Sequence, residues 1–587
     1  MKVVRFWIMR VILMGMVLGG AWSCSGDRSE PAADYTNIPP EPVPGGWVLI
    51  HQLSDPEGLN PYTTNDAASS EINVKIFEPM LSLDWETAEL IPWVAKRRAE
   101  ISPDHLTYKF VLRDDVYFSD GVRLTSRDVE FSFKALKNPL VIDAAPLRNY
   151  YNNVVDVQAP DDTTVIIRLS QPYFLAEYFL GGLQIIPKHI FDPENLTDQY
   201  TIAETNDLDN APNNEAMKKF AEWFNSAEVK REPKYMVGTG PYVVEEWRTN
   251  EFIRLKKNPN YWKKDEPVYP DRVVFRTIND RTAAVVALKN QDIDIMTYVP
   301  PNLFEDIDTN RLPHLRKTSY IVPTYYYIGW NLSRPFFADK RVRQAMSHLI
   351  DKQSMIKNLM RGFAVPTESP IFFKRPEYDS TLTPYEYNPE KAKQLLEAAG
   401  WVDSDGDGIR DKIVNGKKVN FEFTILVNSG NEIRENIALL FSDELKKVGI
   451  RAKVQKLEWS VFLENVRNRN FDAVILGWVS DPTPPDPYQI WHSSQIGKGG
   501  SNYIGFANPR VDELLEKNRV EFDPEKRKQY MREFQRILHE EQPYTFLWFI
   551  KYPAAYNKRL QNVNFYVVRP GYNLNEWWIP PQLRRFE

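Results

Sequence analysis

The chain has 587 residues, a net charge of −6, and a composition that is 43% hydrophobic and 26% charged. That length exceeds what one hydrophobic core organises, so two or three domains are expected. The acidic balance argues against a nucleic-acid partner, which calls for a basic face.

The chain opens with Lys2, Arg5 and Arg10, an apolar run from Val11 to Leu18, and small residues leading to Cys24, its only cysteine. This is the layout of a secretory signal over residues 1–23, cleaved before Cys24. A single thiol forms no internal disulfide, so Cys24 reads as the lipid-attachment residue of an exported lipoprotein. Ala21 and Trp22 depart from the usual pattern before such a cysteine, and an ordinary cleaved signal with a free thiol is the alternative. Loss of Lys2, Arg5 and Arg10 takes the net charge from −6 to −9. Residues 24–44 carry Pro31, Pro39, Pro40, Pro42 and Pro44, the composition of an extended, solvated linker. Beyond the signal no apolar run is long enough for a transmembrane helix.

Folding begins at Gly45-Gly46, and Trp47 to Ile50 reads as a strand. Asp339 precedes a helix carrying Val342, Ala345, Met346, Leu349 and Ile350. Asn388 and Pro389 open another, with Ala392, Leu395, Leu396 and Ala399 on one face and Gly400 ending it. Phe421, Phe423, Ile425 and Val427 alternate as a strand. A helix over 432–448 follows, with Ile437, Leu440, Phe441 and Leu445 on one face. Strands over 452–457 and 473–476 complete a strand–helix–strand pattern, α/β in character.

These segments resemble the bacterial extracellular solute-binding proteins of family 5, the oligopeptide- and dipeptide-binding lipoproteins of ABC importers. The resemblance is carried by Gly58-Leu-Asn-Pro61, Ile76-Phe-Glu-Pro-Met-Leu81, Val116-Tyr-Phe-Ser-Asp-Gly121, Gly238-Thr-Gly-Pro-Tyr242, Asn258-Pro-Asn-Tyr-Trp262, Val342-Arg-Gln-Ala345 and Gly477-Trp478. It implies an α/β, two-lobed, hinged periplasmic-binding-protein-like fold (type II, cluster C) with an extra domain. Lobe I then comprises 45–64, 183–304 and 541–587, the extra domain 65–182, and lobe II 305–540. It also implies a monomer lipid-anchored at the extracytoplasmic face, delivering peptides to permease subunits. Nickel chelates, haem, sugars or opines are alternative cargoes within the same fold. A surface lipoprotein without transport function is the remaining alternative.

A buried peptide must have its ammonium paired, because an unpaired buried polar group costs roughly 1–3 kcal/mol and a charged one more. The family places an aspartate shortly after a Gly-Trp pair, and Asp481 is the matching position; Asp486 is the fallback in a proline-rich loop. Trp478 covers ligand surface or packs in the core. Tyr325 and Tyr327 share one strand face, which meets either the cleft or the sheet's packing layer. Asp403, Asp405 and Asp407 with Gly408 match the first half of a calcium loop, and Asp411 falls at position 9. Val414 stands where a bidentate Glu is required, which favours a solvated acidic turn over a structural calcium, the one cofactor the sequence suggests. No His-Glu-x-x-His or Gly-x-Ser-x-Gly motif is present, and Gly238 and Gly240 lack the third glycine of a nucleotide loop. The chain is therefore expected to be a binding protein, not an enzyme.

Overall fold

The computed structural model describes residue 35 and residues 38–586, except 65, 481, 482, 498 and 499. Cys24 and Asp481 therefore lie outside the described residues. Among those described, no helix is long and apolar enough to cross a membrane.

One mixed sheet runs through the molecule. Its main strands are β1 (Trp47–Gln52), β2 (Tyr242–Arg248), β3 (Phe252–Lys257), β4 (Arg272–Thr277), β5 (Ile295–Met296), β6 (Leu315–Trp330), β7 (Glu422–Asn428), β8 (Arg451–Leu457), β9 (Ala473–Val479) and β10 (Tyr544–Asn557). In space they run β8-β7-β9-β6-β10-β5-β1-β4-β3-β2, with Ala364–Pro366 beside β10. The left part builds lobe II and the right part lobe I. A separate four-stranded sheet within 100–169 forms the extra domain, which shares one apolar cluster with lobe I.

Lobe I is pinned at β1. Val48 and Ile50 are fully buried, and β1 runs parallel to β4. Beneath it Asp294 accepts the Leu49 N–H at 2.9 Å, and Arg559 donates to the Trp47 carbonyl at 2.8 Å. Asp294 and Arg559 pair with almost no solvent contact. Removing one member of such a pair leaves an uncompensated buried charge, costing roughly 3–5 kcal/mol.

The extra domain joins lobe I at Glu78, which follows helix α1 (Ala67–Ile76). Its buried carboxylate accepts Trp93 Nε1 at 2.8 Å and Tyr261 OH at 3.0 Å on one oxygen. The other accepts Trp262 Nε1 at 2.8 Å and Thr239 Oγ1 at 2.9 Å. Burial pushes this carboxyl up and the four donors oppose that. Gly238 and Gly240 flank Thr239 because α1 leaves no room for a side chain. A Cβ on Gly238 would lie 1.9 Å from the Ile76 carbonyl oxygen, and one on Gly240 2.4 Å from that of Lys75.

In lobe II, α2 (Lys340–His348), α3 (Pro389–Ala398) and α4 (Glu432–Lys446) cover one sheet face. The other face carries α5 (Trp459–Arg467), α6 (Pro509–Val520) and α7 (Pro524–Glu541). The Asn388 side chain caps α3 on the Lys391 N–H at 2.9 Å, and Gly400 ends it at φ +84°. On α4, Ile437, Ala438, Phe441 and Leu445 are buried, but Leu440 is 46% exposed. Its expected place on the buried face is corrected: the inward stripe passes through Ala438.

β6 and β10 cross between the lobes. In lobe I, Leu315 to Ile321 pair with Asn557 to Lys551; in lobe II, Tyr325 to Gly329 pair with Phe549 to Tyr544. The register breaks between Ile321 and Tyr325. Phe304, Ile307 and Leu315 pack with Ala555 in a lobe I cluster. The strands thus change lobes near 322 and 550, about ten to twenty residues beyond the expected edges at 304/305 and 540/541.

Candidate functional site at the lobe junction

β7, β8 and β9 are mutually parallel, and open α/β sheets present ligand sites at the carboxyl ends of such strands. Here those ends face lobe I. Val479, the last residue of β9, pairs with Thr324 at the register break, and the Ser480 N–H donates to the Pro323 carbonyl at 2.8 Å. Val479 is 51% exposed. Trp459 and Val461, just past the end of β8, are also exposed. Trp478 is half-buried, with its ring 5.9 Å from that of Tyr503 and its Nε1 3.5 Å from Tyr544 OH. Asp481 follows one residue after Ser480, outside the described residues.

At the end of β7, Arg434 on the first turn of α4 is buried. Its Nη1 donates to Asn428 Oδ1 at 2.8 Å, its guanidinium lies 5.2 Å from the Tyr326 ring, and its Nε has no partner among the described residues. No carboxylate among the described residues lies within ion-pair reach of Arg434. A buried cation without a counter-charge is costly, so this guanidinium is poised for an anion.

Alternation along β6 is as expected: Tyr326 lies on one face, Tyr325 and Tyr327 on the other. The assignment of Tyr325 and Tyr327 to a ligand is corrected. Both are 1% exposed. Tyr327 stacks on Tyr544 at 3.8 Å, and Tyr325 packs against Phe546 and Phe549. Those contacts fill the layer between the sheet and α5–α7, and Tyr326 is the tyrosine beside the unpaired Arg434.

Asp486 as a ligand anchor is also corrected. Its carboxylate is held by Arg519, with Nε at 2.9 and 3.1 Å and Nη2 at 2.8 Å, and accepts Tyr173 OH at 2.8 Å. Its charge is thus already satisfied. The calcium set changes as well. Asp403, Asp405 and Asp411 bring ligand atoms within 4.8 Å of one another, whereas Asp407 accepts the Ile409 N–H at 2.8 Å. Lys418 pairs with Asp405 and lies 3.4 Å from Asp411. With an ammonium in the cluster and Asp403 accepting the Gly406 and Gly408 N–H groups, the chemistry is that of a self-satisfied acidic turn.

On the lobe I side of the crossing, Tyr320 stacks on Phe565 at 4.3 Å, and Tyr552 lies 4.9 Å from Tyr298. Close by, Glu71 accepts the Tyr572 hydroxyl, and Lys75 sits 5.1 Å from the Tyr572 ring. Burial lowers the Lys75 ammonium to about 8, with Glu71 opposing that shift. The sequence reading missed Arg434 and Lys75. Arg434 sits at the Asn431-capped start of α4, and a strand's carboxyl end followed by a helix was the available signal. Nothing local marks Lys75.

The profile described as "Bacterial extracellular solute-binding proteins, family 5 Middle" matches residues 89–500. The oligopeptide-binding protein AppA of Bacillus subtilis is 32% identical over 569 residues, covering 95% of this chain and 96% of that protein. The structure of Bacillus subtilis AppA in complex with a nonapeptide superposes with a TM-score of 0.74 at 29% identity, covering 92% of this chain and all of that one. NikZ from Campylobacter jejuni in complex with Ni(L-His) superposes at 0.73 with 27% identity, covering 90% and 99%.

Proposed function

Because the chain belongs to family 5 of the bacterial extracellular solute-binding proteins, the binding proteins of ABC importers, we propose that its cargo is a peptide enclosed at the lobe junction. The observation that carries this reading is the match to an oligopeptide-binding relative along 95% of the chain. Asp481 pairs with the peptide's ammonium, reached from β9 through Ser480. Arg434, backed by Asn428 and Tyr326, meets a carboxylate. Val479, Trp459 and Trp478 give apolar surface that tolerates varied side chains, while main-chain pairing supplies sequence-independent affinity. Cys24 tethers the chain to a membrane through acyl groups, and residues 25–44 give the folded body reach toward the permease.

The likeness to NikZ keeps a metal–amino acid chelate as the second reading. Two of the histidines are engaged away from the junction, His51 on the Ile278 carbonyl and His189 on Asp120.

Calorimetry with Asp481→Ala and Arg434→Gln tests it. Against a free peptide, each variant binds about 10- to 100-fold more weakly, the range for losing a partner of a charged group. Blocking the amino terminus by acetylation abolishes the Asp481 effect, and amidating the carboxyl terminus abolishes the Arg434 effect. Equal affinity of wild type and Asp481→Ala for the free peptide refutes the ammonium assignment. Mass spectrometry of gently purified protein separates the cargoes: a ladder of peptides supports this reading, and a single metal chelate replaces it.

A further inference from the structure

The lobes meet at a second place, away from the crossing strands. Tyr173 and Phe174 follow the extra-domain strand Thr164–Leu169 and pack with the lobe I body. Opposite them stand Asp486, Arg519 at the end of α6, Phe522, and Arg527 on α7.

Tyr173 OH donates to Asp486 Oδ2 at 2.8 Å, and the Phe174 N–H donates to the Arg519 carbonyl at 2.9 Å. The Arg527 guanidinium lies 4.3 Å from the Phe174 ring centre. His105, also from the extra domain, stacks on Phe522 at 3.7 Å. The lobe II side is pre-built. Arg519 holds Asp486 and lies 3.8 Å from the Tyr488 ring, which stacks on His492 at 4.1 Å. His492 is fixed by Ser494 and Glu516.

The joint consists of two hydrogen bonds, two cations over rings (Arg527 on Phe174 and Arg519 at 5.6 Å from Tyr173), and one ring stack. When it parts, Asp486 keeps Arg519, so neither side is left with an uncompensated charge. That chemistry suits a contact that forms and breaks repeatedly.

We propose that Tyr173 and Phe174 with Asp486 and Arg519 form a clasp that holds the lobes shut. The clasp sets apparent affinity through the fraction of time the lobes are closed, since apparent Kd equals intrinsic Kd divided by that fraction. Asp486, read from sequence as a ligand anchor, is instead a positioning residue. The proposal rests on the two-lobed fold and not on the nature of the cargo.

The test is Tyr173→Phe, which keeps the ring beside Phe179 and removes only the hydroxyl. Amide hydrogen exchange reads the Phe174 N–H, small-angle scattering reads lobe opening, and calorimetry uses a synthetic nonapeptide with a free and with an acetylated amino terminus. The expected result is faster exchange at Phe174, a larger radius of gyration without peptide, and a weakening of about fivefold, equal for both peptides. Asp486→Asn moves exchange and scattering in the same direction. Unchanged exchange and scattering in both variants, or a loss confined to one peptide, overturns the clasp. If the wild type binds neither peptide, the cargo reading fails, and exchange and scattering still decide the clasp.

Discussion

Two buried carboxylates, Glu78 and Asp486, each receive hydroxyl donors across a boundary, and their surroundings make opposite joints. Among the described residues Glu78 has no cation; both its oxygens are filled by neutral donors from three separate segments, Trp93, Thr239 and Tyr261-Trp262. Opening that joint takes Thr239, Tyr261 and Trp262 away from the carboxylate and leaves it only Trp93. Asp486 has its own cation in Arg519 and takes a single donor from across the boundary. Opening that joint costs the carboxylate one hydrogen bond, and it stays paired with Arg519. A carboxylate joint is thus permanent when it lacks a local counter-ion and most of its donors come from the other side, and separable when its counter-ion is local.

Substitutions sharpen this contrast. Glu78→Gln places an amide NH2 against two donors and leaves at least one indole N–H unpaired. Thermal unfolding should show a loss of about 2–4 kcal/mol, while the folded fraction keeps its affinity for cargo. A variant that remains as stable as the wild type removes Glu78 from its role as a permanent joint. Trp262→Phe deletes one donor of four and should cost roughly 1–2 kcal/mol in the same assay. Arg519→Gln tests the local counter-ion directly. It leaves Asp486 dependent on Tyr173, so opening the joint now carries a cost, and because Arg519 is partly exposed lobe II should lose about 1–3 kcal/mol by denaturant titration.

The smallest effect concerns Lys75, buried near the lobe I side of the junction. Its folded pKa, about 8, lies below the usual lysine value. The unfolded chain therefore binds its proton more tightly, and this residue's contribution to stability rises as pH climbs from about 8 toward the ordinary value of about 10.4. Lys75→Met should flatten the stability–pH curve in that window relative to wild type. A parallel curve shows that Lys75 titrates normally.

The permanent joint was partly legible in sequence. Phe77-Glu78-Pro79, Gly238-Thr-Gly240 and Asn258-Pro-Asn-Tyr-Trp262 stand out as motifs, because a close-packed backbone and a multiply bonded carboxylate admit few residue types. Their purpose was hidden: the sequence excludes a nucleotide loop for these glycines but gives no other role until α1 is seen against them. The separable joint was misread. Asp486 sits in a proline-rich loop after a Gly-Trp strand, which suggests a cleft acid. Its partners lie 33 and 313 residues away, and no local pattern records such a pairing. Tyr325 and Tyr327 show the same limit. Alternation placed them together on one face, but only the stacking of α5–α7 decided that the face is interior.

The sequence alone determined the α/β class, the helix caps at Asn388 and Asp339 and the strand alternation, because these follow from local backbone preference and hydrophobic period, and its motifs carried the resemblance to the family. The tertiary structure decided where the chain changes lobes, which tyrosine stands beside the unpaired Arg434, and which carboxylate is already satisfied. Those depend on charges and rings brought together across hundreds of residues, where the cost of leaving a buried group unpaired selects the partner.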